Sequence, residues 1–380
     1  MIERKRLKER IEFLWNIVPA VLLVGPRQCG KTTLARSIAK DHGGTVFDME
    51  NPVDRAALAD PYLTLRALTG LIVIDEIQHV PSLFEVIRVL VDAEPNARTF
   101  LFLGSASFRL LNQSSESLTG RCITVEMQGL SVDELPETDI ERLWLRGGMP
   151  RSFLATSDEA SVVWRNAYLA SVLERDLPAH GIRTPATTLR RMWTMVAHYH
   201  TSSLNIAGLS RSLDVAPQTV RGFLDVLTDA MLIRQLQPWH ANIGKRQRKT
   251  PKLLIRDSGL YHVTLGITND VQLSTHPNKG ASWEAFALEH VLAMMQPTEA
   301  YTWATHQGAE LDLLMVHNGK RIGVEIKFTS QPRRTASMQQ AIVDLELDSV
   351  LVVYPGAREF AIAENIAAVP LHQIRPLATW

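Results

Sequence analysis

Gly25, Gly30, Lys31 and Thr32 fall in the spacing G-x-x-x-x-G-K-T within GPRQCGKTTL, directly after the apolar run VLLV and ahead of the helical pattern TLARSIAK. A glycine-rich turn between a buried strand and a helix lets successive backbone N–H groups converge on one anion at the helix N-terminus. The pattern therefore predicts a phosphate cradle running through Gly25, Pro26, Arg27, Gln28, Cys29, Gly30, Lys31, Thr32 and Thr33. Within it, Lys31 is expected to reach the β and γ phosphates and the Thr32 hydroxyl to ligate Mg2+. A second signal, LIVIDEIQ, puts Asp75 at the carboxyl end of an apolar strand, the end at which open α/β sheets hold ligands. Asp75 is expected to hold the same metal through water, and the adjacent Glu76, aimed elsewhere, to polarise an attacking water. ATP and Mg2+ are the cofactors this set implies.

The elements around these residues alternate. VLLV (21–24), TVFD (45–48), LIVID (71–75) and TFLFL (99–103) are apolar runs separated by helical patterns such as SLFEVIRVLVD, which predicts a parallel sheet in an α/β layer fold. TFLFL ends in GSAS, so Ser105 or Ser107 is placed beside the γ-phosphate as a polar sensor. Arg121, in SESLTGRC, has two readings from spacing alone: a solvated surface arginine, or an arginine finger that reaches a neighbouring subunit's γ-phosphate.

A different constellation lies near the C-terminal end. The helix SWEAFALEHVLAMM carries Glu284, and the runs ELDLLMV and RIGVEIKF flank a turn centred on Asn318 and Gly319, which predicts a β-hairpin. Side chains alternate along a strand, so Glu325 and Lys327 share one face, and Asp312 can join it from across the hairpin. Carboxylates of this kind can hold Mg2+, and a lysine can position the nucleophile or offset transition-state charge at a phosphodiester. Glu284, Asp312 and Glu325 are the expected metal ligands here, with Asp312, Glu325 and Lys327 as catalytic groups; E-x-K on a strand is also common without chemistry.

Between the two sets, NIAGLSRSLDVAPQTVRGFLDVLTDAMLIRQLQPW reads as two short helices and a strand, the layout of a winged helix-turn-helix. Ile206, Leu209 and Leu213 line the first helix; Val220, Phe223, Leu224, Leu227 and Met231 line the second. Gln218, Thr219 and Arg221 would then face a DNA groove. Lys245, Arg246, Arg248, Lys249 and Lys252 of GKRQRKTPK would contact phosphates, with backbone contact favoured over base reading. The same module also serves as a protein-docking element.

The totals set bounds. A length of 380 residues predicts about two or three domains. Lys plus Arg and Asp plus Glu are 40 each, so no global field attracts nucleic acid or membrane and any such partner is met by local patches. Two cysteines, Cys29 and Cys122, make no disulfide framework and no metal spacing, which predicts a reducing cytoplasm. The charged N-terminus and the lack of an 18-residue apolar window predict neither export nor a membrane span. The scattered His79, His180, His240, His290 and His306 have no metal-ligand spacing and read as structural.

In order, GPRQxGKTTL, LIVIDEIQ, LGSAS, SLTGR, RGGMPR (146–151) and LERDL (173–177) resemble the bacterial and archaeal AAA-type ATPases of the AAA_14 group that carry DUF4143. The resemblance runs nearly end to end. It implies an α/β AAA-type P-loop NTPase with a parallel sheet, a helical and winged-helix middle, and a C-terminal α/β domain similar to restriction endonucleases. The expected divisions are 1–135 for the ATPase core, 136–187 for a lid and connector, 188–262 for the winged helix and 275–380 for the nuclease-like domain. Glu284, Asp312 and Glu325-x-Lys327 resemble the PD-(D/E)xK nucleases. The family's order of motifs favours Arg121 as a finger and implies that Arg175 lies near the nucleotide or a subunit contact; Asp257 and Gly259 also match. Cys29 departs from the family's aliphatic residue without touching its phosphate chemistry. These features together imply an ATP-hydrolysing homo-oligomer, a hexameric ring being one arrangement open to it, that acts on DNA by structure more than by sequence, with metal-dependent cleavage as a further activity. The alternative is a nucleotide-dependent switch that docks partner proteins and carries an inert nuclease-like fold.

Overall fold

A computed structural model describes residues 2–105, 118–179, 182, 184–239 and 250–377. The positions Ser107, Lys245, Arg246, Arg248 and Lys249 lie outside the described residues. The chain forms two compact units, Met1–Gly129 with Asp229–Met231, and Leu130–Thr228 with Leu232–Trp380.

In the first unit, α1 (Lys5–Leu14) precedes β1 (Ala20–Gly25), α2 (Lys31–His42), β2 (Thr45–Asp48), α3 (Pro52–Ala57), α4 (Pro61–Arg66), β3 (Gly70–Asp75), α5 (Leu83–Ala93), β4 (Arg98–Ser105) and β5 (Cys122–Glu126). The five strands are parallel in the order β2-β3-β4-β1-β5. Every residue of β1 is buried, as is all of β3 after Gly70, so these strands are apolar throughout because both faces are covered. Leu22, Ile72, Ile74, Phe100 and Phe102 meet Phe84, Ile87 and Leu90 of α5 on one face of the sheet. Phe84 packs edge-on to Phe102 with ring centroids 5.5 Å apart. Because β4 lies between β1 and β3, the phosphate-loop strand and the Asp75 strand are next-nearest neighbours whose carboxyl ends open on the same edge.

The second unit begins with α6 (Ile140–Arg146), α7 (Pro150–Phe153) and α8 (Asp158–Ser171), which runs into a π-helical turn at Val172–Asp176. After α9 (Ala186–His198) and β6 (Ser202–Ser203), α10 (Ile206–Leu213) and α11 (Pro217–Asp229) make the helix-turn-helix, and β7 (Ile233–Leu236) and β8 (Lys252–Ile255) complete a three-stranded sheet in the order β6-β8-β7. Asn205 caps α10 by accepting a hydrogen bond from Gly208 N at 2.8 Å. Leu209 and Leu213 of α10 and Val220, Phe223, Leu224 and Leu227 of α11 are buried as their spacing requires. Met231, expected on that face, lies past the end of the helix in a left-handed conformation, φ 56°.

Then come α12 (Ser258–Thr264), α13 (Asp270–Thr275), α14 (Lys279–Met295), β9 (Glu299–Ala304), β10 (Glu310–His317), β11 (Lys320–Ile326), α15 (Ala336–Leu345), β12 (Ser349–Tyr354), β13 (Phe360–Ala363) and β14 (Ile366–Pro370). The strands form a mixed sheet in the order β13-β14-β12-β11-β10-β9. Asn318 and Gly319 take φ of 50° and 79°, the two left-handed positions that a tight turn between β10 and β11 requires. The winged-helix segment runs onto the edge of this sheet: Thr302 N of β9 donates to Gln237 O, and Trp239 N donates to Thr302 O.

Two glycine-bearing segments lock together in this unit. Asp257 caps α12 through Leu260 N at 2.9 Å and also accepts from Gly148 N at 2.9 Å. A Cβ on Gly147 would fall 2.1 Å from Asp257 Oδ1, and one on Gly259 would fall 2.1 Å from Arg146 O. The buried Arg165 donates to Leu145 O at 3.2 Å and Gly259 O at 2.8 Å. RGGMPR and RDSGL thus need their glycines for close backbone approach between α6 and α12.

Candidate active site

At the carboxyl edge of the first sheet, β1 ends at Gly25, where a Cβ would lie 2.2 Å from Met127 O, so only glycine lets the strand end there. The chain then turns through Gln28 and Gly30, both left-handed at φ 62° and 104°. Gly30 caps α2 without any side-chain hydrogen bond, leaving the first N–H groups of the helix without a side-chain partner at its positive end. Pro26 and Cys29 are buried beneath the loop, whereas Arg27, Gln28 and Thr33 are exposed. Cys29 Sγ sits 3.6 Å from Met127 O, a packing position with no phosphate role.

Lys31 is buried and its ammonium donates to Gly25 O at 2.9 Å and Pro26 O at 3.0 Å, spanning the loop from within. Thr32 Oγ1 donates to Asp75 Oδ2 at 2.7 Å, reaching over β4. Asp75 Oδ1 accepts from Glu76 N at 3.0 Å. Burial pushes the Asp75 carboxyl above its usual range, against the hydrogen bond from Thr32. Two hard oxygen donors, an ammonium and an uncapped helix N-terminus are the donor set that Mg2+ and a polyphosphate need, so the residues fit ATP with its metal. Thr32 and Asp75 would hold the metal, and the loop N–H groups with Lys31 the phosphates; bound there, Mg2+ supplies positive charge at the phosphate oxygens.

Glu76 follows in a left-handed conformation, φ 51° and ψ 46°, unusual for glutamate and common at functional turns. The Gln78 amide donates to Glu76 Oε2. The backbone of Ser105 is level with Gly25 across the β1–β4 ladder. Arg121 lies elsewhere, at the start of β5: Ala20 N, at the amino end of β1, donates to Arg121 O at 3.2 Å. Its guanidinium is paired with Asp92.

Sequence patterns miss two groups at this site. Arg4, just ahead of α1, is buried and donates to Cys29 O, Gln128 O and Gly129 O, each at 3.1 Å. It clamps the phosphate loop to the segment after β5. Nothing in MIERKR separates this arginine from its charged neighbours, since its role depends on long-range contact. Gln78 is equally silent within LIVIDEIQ.

The second constellation gathers in the other unit. Asp312 Oδ2 accepts from Ile326 N at 2.9 Å, tying β10 to the end of β11. Glu325 Oε1 pairs with Lys327 Nζ at 2.6 Å. Glu284 of α14 joins them through Lys252 of β8, whose ammonium contacts Glu284 Oε1 and lies 3.2 Å from Asp312 Oδ1. Asp312 and Glu325 are buried, where a charged hairpin face would ordinarily be solvated. Burial, and then the charge of Asp312, pushes the Glu284 and Glu325 carboxyls up to about 7. Burial alone would lower the Lys252 ammonium, but Asp312 and Glu284 hold it above the usual lysine range. Among the described residues no three acidic, histidine or cysteine side chains stand as a metal-holding group. Lys252, expected to contact phosphates with its basic neighbours, instead turns inward to these acids.

On α11, Gln218 and Arg221 are exposed and Thr219 is half-buried, all within the first turns of the second helix of the helix-turn-helix. Arg175 is exposed on the π-helical turn. No helix among the described residues is long and apolar enough to cross a membrane.

Three family profiles match in sequence: AAA domain over residues 18–136, domain of unknown function DUF8612 over 137–271, and domain of unknown function DUF4143 over 279–374. Uncharacterized proteins of Mycobacterium tuberculosis (Rv2008c) and Mycobacterium bovis (Mb2031c) are each 51% identical over 374 residues, covering 98% of this chain and 85% of theirs. Among solved structures, the Walker-type ATPase PABY2304 of Pyrococcus abyssi is 15% identical over 70% of this chain and 96% of its own, with a TM-score of 0.49. The Thermotoga maritima RuvB Holliday junction branch migration motor is 20% identical over 62% and 90%, with a TM-score of 0.30. With its Lys31, Thr32 and Asp75 geometry in a five-stranded parallel sheet and an AAA domain followed by DUF4143, the chain belongs to the AAA-type P-loop ATPases of the AAA_14 and DUF4143 family, which use ATP and Mg2+.

Proposed function

We propose that the chain hydrolyses ATP in its first unit and applies the cycle to DNA as a cytoplasmic, homo-oligomeric machine. The observation that carries hydrolysis is the 2.7 Å bond from Thr32 to Asp75, which brings a hydroxyl and a carboxylate to one point beside the phosphate loop. In this reading Glu76 is the base that polarises water, with Ser105 as a sensor at the γ-phosphate. Arg121 completes the site of a neighbouring copy, since its own phosphate loop is at the other end of β1. A ring, hexameric or otherwise, satisfies that requirement.

The DNA part of the reading is supported by the exposed Gln218 and Arg221 on α11, joined by Thr219. Lys245, Arg246, Arg248 and Lys249 would add phosphate contacts, which favours DNA structure over sequence. The division of labour follows the segments 1–135 for the motor, 136–187 for the connector, 188–262 for DNA and 275–380 for the nuclease-like fold. Cleavage is the finer proposal: Glu284, Asp312 and Glu325 would hold the metal, and Lys327 would act on the phosphodiester.

A second reading, a nucleotide-dependent switch with an inert nuclease-like domain that docks partner proteins, is favoured by the position of Lys252 between two of those acids. One experiment separates the two. ATP turnover and Mg2+- or Mn2+-dependent nicking are measured on duplex, single-stranded and branched DNA at low salt, with Lys31→Ala and Asp312→Ala controls. DNA-stimulated turnover that vanishes in Lys31→Ala supports the machine; turnover indifferent to every DNA sinks it in favour of the switch.

A further inference from the structure

Lys252 is the first residue of β8, the middle strand of its sheet, and its backbone is paired on both sides, with Leu236 of β7 and Ser203 of β6. The strand therefore fixes where the side chain starts. From there it runs inward to Glu284 and Asp312, with only 15% of the side chain exposed. Asp312 is spent on both oxygens, one on Lys252 and one on Ile326 N. Glu325 Oε2 is buried with no hydrogen-bond partner among the described residues, while its other oxygen pairs with Lys327. Among the described residues, Lys252 and Lys327 are thus the ammonium groups paired with these three carboxylates, and Glu325 keeps one buried oxygen without a hydrogen bond.

We propose that Lys252 is the resident cation of this acid cluster and excludes divalent metal from Glu284, Asp312 and Glu325. The proposal rests on reading these three residues as a cation site. A divalent ion binds carboxylate oxygens at about 2.0–2.6 Å, and an ammonium on the same oxygens both fills that space and repels the second charge. Removing it would leave Glu284 and Asp312 buried without a counter-charge, which is unfavourable unless another cation enters. Because β8 belongs to the three-stranded sheet beside the helix-turn-helix, metal access is set by a residue outside the segment matched as DUF4143, 279–374.

The test uses the full chain, nucleotide-free, with Mn2+ as the probe, read by the depletion of free Mn2+ in paramagnetic resonance and by thermal unfolding. Wild type, Lys252→Met, Lys252→Arg and the double variant Lys252→Met with Asp312→Asn are compared. Lys252→Met is expected to unfold at lower temperature than wild type, to gain one Mn2+ bound at least 10-fold more tightly, and to recover melting temperature as Mn2+ is added. The double variant loses that gain, and Lys252→Arg, which keeps the charge, does not acquire it. If Lys252→Met folds only when refolded with Mn2+, the same substitution of one cation for another is read out directly. Asp312-dependent Mn2+ binding in wild type as tight as in Lys252→Met overturns the proposal and leaves the metal-site reading intact. A folded Lys252→Met that takes up no Mn2+ overturns both.

Discussion

Arg121 and Asp92 form a two-pronged ion pair, Nε to Oδ1 at 2.6 Å and Nη2 to Oδ2 at 3.0 Å, at the amino end of the central strands. The phosphate loop opens at their carboxyl end, five residues further along β1, or roughly 17 Å at the usual strand rise. An arginine so placed cannot reach the nucleotide of its own chain. Arg121→Ala should therefore leave nucleotide affinity within about twofold while turnover falls by about 10³ or more, the range for an arginine finger. Mixing Arg121→Ala with Lys31→Ala subunits should restore part of the activity, because one copy keeps an intact loop and the other an intact finger. Titrating the mixture at fixed total protein checks this; a strictly additive, inactive mixture removes the trans role.

Arg4 makes a different prediction, since it touches the phosphate loop only from beneath. Losing its three bonds to carbonyls loosens the support of Cys29 without removing any group that meets phosphate. Arg4→Ala is expected to weaken nucleotide binding about 10-fold, near 1.4 kcal/mol, with turnover at saturating nucleotide nearly kept. Lys31→Ala should abolish binding instead. Binding isotherms of a fluorescent ATP analogue for both variants give the comparison.

How far the sequence could be read depends on where the determining contacts lie. β2 is observed at the anticipated residues Thr45–Asp48, and β1, β3 and β4 extend the expected runs by one to three residues, because burial on both faces writes a continuous apolar code. The hairpin at Asn318 and Gly319 is legible because the turn itself demands those residues. β5, β13, β14 and α15 are not anticipated; Phe360–Ala363 is an edge strand with its first two residues exposed and carries no alternation to read. At the sites, residues defined by local spacing are visible: Lys31, Thr32, Asp75. The roles of Arg4 and Lys252 are not, because each acts across 25 or more residues of chain, and one basic side chain in a basic run looks like the next.

Glu289 anchors the winged-helix strands to α14. Its carboxylate takes Arg234 through Nε at 2.5 Å and Nη2 at 2.9 Å, and Arg256 through Nε at 2.9 Å. Burial would raise this carboxyl, yet the two arginines hold it down to about 2. The folded pKa is below the ordinary 4.5, so its stabilisation is present above pH 4.5 and lost as pH falls toward 2. Glu289→Ala removes the buried carboxylate that Arg234 and Arg256 share and should cost about 3–5 kcal/mol of second-unit stability at neutral pH. Guanidinium chloride unfolding followed by tryptophan fluorescence measures it; a change under about 1 kcal/mol would show that the triad is dispensable.

His200 and His262 predict a second loss of stability, beginning at milder pH. His200 Nδ1 accepts from Ile255 N at 3.0 Å, so its proton is on Nε2. His262 Nδ1 donates to Leu145 O at 2.9 Å, while Nε2 accepts from the Ser282 hydroxyl at 2.6 Å, and that hydroxyl in turn accepts from Trp144 Nε1 at 2.9 Å. Each ring thus uses an acceptor nitrogen that protonation would turn into a donor. Burial, the largest cause, lowers both from 6.5 to about 3. Between these values the unfolded chain binds protons at these rings that the folded chain does not, so the stability the two histidines contribute is full above pH 6.5 and declines as pH falls toward 3. The slope is about 1.4 kcal/mol per pH unit for each histidine. Glu284 and Glu325, raised to about 7, contribute with the opposite sign over part of this range, so the histidine share is read as a difference in the unfolding of the second unit. From about pH 6.5 to 5 wild type should lose about 1.4 kcal/mol per pH unit more than His200→Gln, which should be less stable than wild type at about pH 8. An unchanged slope in that variant would move the acid sensitivity to other groups.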